Sequence, residues 1–438
     1  MSNRKITRSQ FLGTTLGLSA ITSVNLEGSS LGRLMLKKTE TFEANEKIRH
    51  AWEVALKILQ PTKSQLEHGL ELHANSLVFD SYGFQPTAAV DGAAIVAALK
   101  DGASNREISS MSDDMEITGF VKNEKERKEF ENAWRASGVT CVFQNADELE
   151  QFIYVTDMLH DFVRKARTPE DIVLAKKENK HALYFSLNSV PTPEKYVSVE
   201  EELLLIKRNF LLGYRMMHLT YNRRNLIGDG CAETANAGLS DFGRSVVKEL
   251  NRTGVIVDIA HSGWQTSLEA ALVSEKPMVA SHTTVASLNK VIRSKPDEVI
   301  KAIANTGGYI GICCVPRFLG GTGDIAALMK HIDYVAKTFG HDHVSIGTDY
   351  TFRSPYDSVE NMIINDSGLG KQPSRNVWWN YWLDEPKFDL KPGMQESMEW
   401  TNWPLFTVGL VQMGYSDENI QKIIGGNVMR VTRAALEL

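Results

Sequence analysis

Two histidines end short apolar runs in this chain: His261 closes VIVDIAH (255–261) and His282 closes PMVASH (277–282). Such runs, rich in apolar and β-branched residues, read as buried strands. Neutral imidazole is the commonest protein ligand for a metal. Two imidazoles at the ends of neighbouring parallel strands converge on one point. Asp349 lies near the end of a third run, HVSIGTDY (343–350), and Arg293 follows PMVASH in KVIRSKPDE. A strand-end carboxylate, two imidazoles and a guanidinium around one mouth predict metal-assisted hydrolysis. A single histidine of this kind is more often a hydrogen-bonded structural residue; the pair on consecutive strands is what favours a site.

The elements that must position these groups recur along the chain. SLVFD (76–80), VTCVFQ (139–144), HALYFSL (181–187), YRMMHLTY (214–221) and YIGICCV (309–315) complete a set of eight apolar runs. Segments of helical period alternate with them: 149–166, 239–254, 297–307 and 324–340. Ser240 opens one helix as a capping residue and Gly254 closes it. Alternation of this kind implies parallel βαβ units, and eight strands predict an α/β fold, a closed (β/α)8 TIM barrel. A doubly wound sheet is the alternative, but no glycine-rich phosphate loop follows any run. The barrel is expected to occupy residues 46–438 as a single domain, with insertions at 85–137 and 351–405. The first insertion holds a charged run (122–135) that reads as a solvated helix face. The second is expected to be loop-like; its Trp378, Trp379, Trp382, Trp400 and Trp403 would either wall the pocket or simply pack on the barrel. Residues 403–436 read as two closing helices.

The net charge of −6, with no concentrated basic stripe, argues against a nucleic-acid partner. No apolar run is long enough to span a membrane. The four cysteines have no C-x-x-C spacing, and Cys141, Cys313 and Cys314 read as small core residues. Residues 1–45 are expected to form a tail. There Arg4, Lys5 and Arg8 precede a mildly apolar stretch, Phe11 to Val24, which is the layout of an export signal. It resembles a degenerate twin-arginine signal with Ser9 in place of the second arginine. That would place the protein in the periplasm; without it, the protein would be cytoplasmic.

Residues 219–267, together with PMVASH, RSKPDEVIKAIANTGGYIGI (293–312), VSIGTDY and IIGGNVMRV (423–431), closely resemble the membrane (renal) dipeptidase family. The resemblance covers most of residues 70–436. It implies a barrel metallohydrolase that cleaves dipeptides or similar small amides with two zinc ions, and a homodimer by analogy. His261 and His282 match the histidines of one metal, Arg293 the substrate arginine and Asp349 the strand-eight aspartate. Elsewhere the pattern is broken. In FDSYGF (79–84), Tyr82 and Phe84 stand where the other metal needs histidine and aspartate. In FSLNSV (185–190), Asn188 stands where a glutamate would bridge the two ions, and Tyr221 replaces a histidine. Phenylalanine cannot ligate, and asparagine offers one neutral oxygen. The expectation is therefore one zinc on His261 and His282, or none, with Asn188, Asp349 or Asp80 as a third ligand. His218 and His73 are left outside the site, His218 because strand alternation sets it apart from Tyr221. Asp349 is the expected catalytic residue, and Arg293, Tyr221 and Asn188 the substrate contacts. The alternative is an inactive relative that binds a peptide-like ligand without turnover.

Overall fold

The computed structural model describes residues 44–369 and 387–437. The tail with its export-signal layout, and Trp378, Trp379 and Trp382, lie outside them. Nine strands form one parallel sheet: β1 (Phe79–Gly83), β2 (Cys141–Asn145), β3 (Val163–Ala166), β4 (His181–Leu187), β5 (Tyr214–His218), β6 (Ile256–Asp258), β7 (Val279–Thr283), β8 (Tyr309–Ile312) and β9 (Val344–Ile346). The order is β1-β2-β4-β5-β6-β7-β8-β9, with β3 paired to β4 off the path. The eight strands of the path coincide with the eight apolar runs. Chain beyond β9 completes the ring. Asp349 N donates to Tyr82 O (3.0 Å), Phe84 N to Tyr350 O (3.2 Å) and Thr87 N to Phe352 O (2.9 Å). The result is the expected (β/α)8 barrel.

Helices cover its outside, so every residue of β1, β5, β6, β7, β8 and β9 is buried. That is why parallel strands read as unbroken apolar runs rather than alternating ones. The helix Asp241–Thr253 begins as its sequence predicts: Ser240 Oγ accepts from Gly243 N, and Gly254 ends it with a left-handed φ of 88°.

Four expectations need correction. The helix expected over 149–166 stops at Met158, and Val163–Ala166 forms β3 because β5 pairs only with Phe185–Leu187 and leaves the first half of β4 open on that side; His181 N bonds Phe162 O there. The charged run lies in helix Glu124–Ser137, which is not simply solvated: it buries Phe130, Ala133 and Trp134 along one face. The 351–405 insertion carries a ten-residue helix, Asp357–Asp366, and its end enters the core. Trp400 and Trp403 are fully buried, and Trp400 Nε1 donates to Asp80 Oδ2 (3.1 Å), so these two tryptophans pack. The closing segment forms three helices, Trp403–Gln412, Asp417–Gln421 and Asn427–Leu436, the last two joined through Lys422–Gly426. Cys141, Cys313 and Cys314 are buried core residues. Among the described residues no helix is long and apolar enough to cross a membrane.

Candidate metal centre and substrate pocket

Asp258, the last residue of β6, sets the geometry of the histidine pair. Its Oδ1 accepts from Ala260 N and from Ser281 N, both at 3.0 Å. One carboxylate oxygen thus pins the turn that delivers His261 and the β7 segment that carries His282. The imidazoles meet: His261 Nε2 and His282 Nε2 are 2.9 Å apart.

Their other nitrogens are held. His261 Nδ1 lies 2.7 Å from Asn222 Oδ1, an acceptor, so Nδ1 carries the proton and Nε2 presents a lone pair. His282 Nδ1 lies 2.8 Å from Ser281 Oγ, which can donate or accept. Two arrangements satisfy these contacts. Either His282 Nε2–H donates to His261, with the Ser281 hydroxyl donating to Nδ1. Or Ser281 accepts from Nδ1–H, and both Nε2 lone pairs face a cation. Burial first, then the positive charge of Arg293, pushes both imidazoles well below their usual pKa. They are therefore neutral, as metal ligands must be.

Each ring is covered by a tyrosine. Tyr82 stacks on His282 (centroids 3.9 Å, 19° between planes) and Tyr221 on His261 (4.1 Å, 23°). Tyr82 Oη also donates to Asn188 Oδ1 at 2.7 Å. The residues expected to hold a second metal are thus tied to one another or to the histidines. The groups at Tyr82, Phe84 and Asn188 do not fit a two-metal site. Asp80 does not serve as a ligand either: its Oδ1 accepts from Thr348 N and Tyr82 N, and its Oδ2 from Thr348 Oγ1 and Trp400 Nε1. The facing Nε2 atoms of His261 and His282 do fit a single ion.

His218, set aside on strand alternation, belongs to the cluster. It is fully buried at the end of β5, and one nitrogen each of His218, His261 and His282 lies within 4.8 Å of the others. The alternation argument fails because β5 ends at His218; Leu219 to Tyr221 already leave the strand. His73 is structural, bonded to Thr407 Oγ1 and Ser137 O on the far side of the fold.

A cavity of about 210 Å³ opens in front of the pair. Seven residues singled out in the sequence line it: Tyr82, Phe84, Asn188, Tyr221, His261, Arg293 and Asp349; His282 is fully buried. Arg293 is 4% exposed, donates through Nη2 to His282 O (3.2 Å), and leaves Nε without a partner. Asp349 has a left-handed φ of 53°, a strained conformation for a residue with a side chain. Desolvation raises its pKa to about 6, against the opposing pull of Arg293 and Arg317. Arg317 was missed by the sequence reading. Its guanidinium and that of Arg293 both lie over the Phe318 ring, at 4.7 and 5.3 Å from the centroid. A second cleft, of about 650 Å³, shares Asn188 and Tyr221 with the cavity.

A family model described as membrane dipeptidase (peptidase family M19) matches residues 95–362, more than half of the chain. The chain belongs to the membrane dipeptidase family. It is 25% identical over 356 residues to dipeptidase tcpJ of Claviceps purpurea, across 80% of this chain and 71% of that protein. A solved amidohydrolase from Pseudomonas aeruginosa is 25% identical, with a TM-score of 0.58, over 84% of this chain and 98% of that one. A metallo peptidase from Rhodobacter sphaeroides, solved with a phosphinate mimic of the dipeptide L-Ala-D-Ala, shares the fold with a TM-score of 0.56 at 13% identity; the match covers 82% of this chain and 100% of that one.

Proposed function

We propose that this protein is a metal-dependent hydrolase that cleaves a dipeptide or similar small amide with a single zinc ion held by His261 and His282. The observation that carries the reading is the meeting of two neutral Nε2 atoms whose Nδ1 partners, Asn222 and Ser281, are already in place. A bound divalent ion supplies Lewis acidity to the substrate carbonyl and to water. The remaining steps belong to the side chains. Arg293, buried and with an unpartnered Nε, binds the carboxylate of the substrate. Asp349 accepts a proton from the attacking water on its carboxylate and returns one to the leaving amine. Asn188 and Tyr221 flank the substrate where the cavity meets the second cleft. At about 210 Å³ the cavity suits a compact substrate, since pockets for drug-sized ligands run to roughly 300–1,000 Å³.

The purified protein is expected to hold one zinc per chain, to lose it in His261→Ala, and to hydrolyse members of a dipeptide panel. Elemental analysis and an amine-release assay check this. Absence of both metal and turnover would leave the second reading, a binding protein without catalysis. The Tyr82 phenol favours that one, because it stands where the family pattern has a metal-binding histidine, stacks on His282 and is bonded to Asn188.

Arg317 gives a separate handle on Asp349. Its positive charge favours the carboxylate, so Arg317→Ala is expected to raise the pKa of Asp349 above about 6. The acid limb of the kcat/KM profile should then move to higher pH. A limb that stays in place belongs to another group.

A further inference from the structure

We propose that His218 is the third protein ligand of the metal centre, making a three-imidazole site of His218, His261 and His282. This rests on the single-metal reading above and supplies what that reading lacks. Two histidines alone hold zinc weakly, whereas catalytic zinc takes three protein ligands and keeps one position open.

The three rings form a nearly equilateral triangle. Their centroids are 5.0 Å apart for His261–His282 and 5.3 Å for each pair with His218. Three imidazoles bound tetrahedrally at a Zn–N distance of about 2.0–2.1 Å would place their ring centroids about 5.2 Å apart. The ring planes meet at 63°, 75° and 82°, edge to face, so no two rings stack.

The hydrogen bonds of His218 select one nitrogen as donor to a metal. Nδ1 is 2.9 Å from Leu187 O, which can only accept, so Nδ1 carries a proton. Nε2 makes no aligned hydrogen bond. It lies 3.1 Å from Asp258 Oδ2, which likewise makes none, and both side chains are fully buried. A neutral His218 with its proton on Nδ1 would set a bare Nε2 against the carboxylate oxygen in a dry interior, which is unfavourable. A divalent ion resolves this: it takes the Nε2 lone pair, and Asp258 supplies negative charge beside it. Asp258 already positions the other two histidines through its Oδ1. One carboxylate would thus organise all three ligands. The rival explanation is a protonated His218 in a structural ion pair with Asp258.

The test uses the full chain stripped of metal and titrated with zinc chloride by calorimetry. The wild type, His218→Ala, His218→Asn and His261→Ala are compared, with circular dichroism as the check on folding. The asparagine variant keeps a donor for Leu187 O if the alanine variant fails to fold. One zinc per chain in the wild type, weakened more than about 100-fold in a folded His218 variant, supports the proposal, since losing an outer partner costs only about 10–100-fold. Zinc retained by the His218 variants but lost in His261→Ala overturns the role of His218 and leaves the single-metal reading standing. No zinc in the wild type overturns both. Imidazole ¹⁵N spectra of the wild type give a readout that does not depend on any variant. A zinc-dependent shift of His218 Nε2 supports ligation; an imidazolium signature unchanged by zinc overturns it.

Discussion

Asp349→Asn is expected to abolish turnover and, at the same time, to stabilise the fold at neutral pH. Loss of a positioned acid–base group lowers kcat by about 10²- to 10⁴-fold. The gain in stability follows from the carboxyl's surroundings. Its pKa is raised from 3.8 to about 6, mainly by desolvation. A carboxyl with a raised folded pKa binds its proton more tightly folded than unfolded, so folding favours the neutral acid. The protein is therefore unburdened below pH 3.8, loses stability as pH rises from there to about 6, and carries the full penalty above it. Asparagine is neutral throughout. The variant's advantage should grow over that window and level off above pH 6, at about 1–3 kcal/mol. Asparagine also tolerates the left-handed backbone at this position. Denaturant melts at pH 4 and pH 8 measure the difference. An equal or lower stability at pH 8 would show that the carboxylate is not strained there.

Arg293→Met is expected to lower kcat/KM for dipeptides by about 10²- to 10³-fold, from loss of a buried charge-assisted contact worth roughly 2–5 kcal/mol. The discriminating comparison is between a dipeptide and its C-terminal amide. If Arg293 binds the substrate carboxylate, the variant loses most of its preference for the free acid, and the amide is affected far less. Equal losses on both substrates would move Arg293 from substrate binding to organisation of the site, where its contact with His282 O already lies. A second effect accompanies the first. Arg293 is the leading charge that lowers the pKa of Asp349, so the acid limb of the profile should rise in pH as it does for Arg317→Ala, and the two shifts should add.

The barrel was legible in the sequence for a physical reason. Strands buried on both faces are continuous apolar runs, and a helix between them showed its limits at Ser240 and Gly254. β3 was not legible, because a four-residue strand with half-exposed Arg164 and Lys165 at its centre has no apolar signature. Seven of the cavity-lining residues were found through strand ends and the family pattern, and the expectation that a second metal is lost came from residue chemistry at Tyr82, Phe84 and Asn188. His218 was lost because its face depends on where β5 ends, a point that alternation cannot locate. Arg317 was lost for a related reason. It sits in a short helix, Pro316–Leu319, beyond β8, and lies beside Arg293 over the Phe318 ring.

The ring of strands is completed by chain on either side of one boundary. The amide of Asp349 is bonded to the carbonyl of Tyr82, and Phe84 N to Tyr350 O. These partners are separated by more than 260 residues of sequence, so their pairing is among the most non-local in the fold and carries a high cost in chain closure. During synthesis the histidine cluster on β5, β6 and β7 can assemble while β9 is still unmade. The pocket wall that carries Asp349 cannot. On the reading proposed above, chemistry at this site would wait for the final closure of the barrel, and a nascent or truncated chain ending before β9 would gather its imidazoles without acquiring the Asp349 carboxylate.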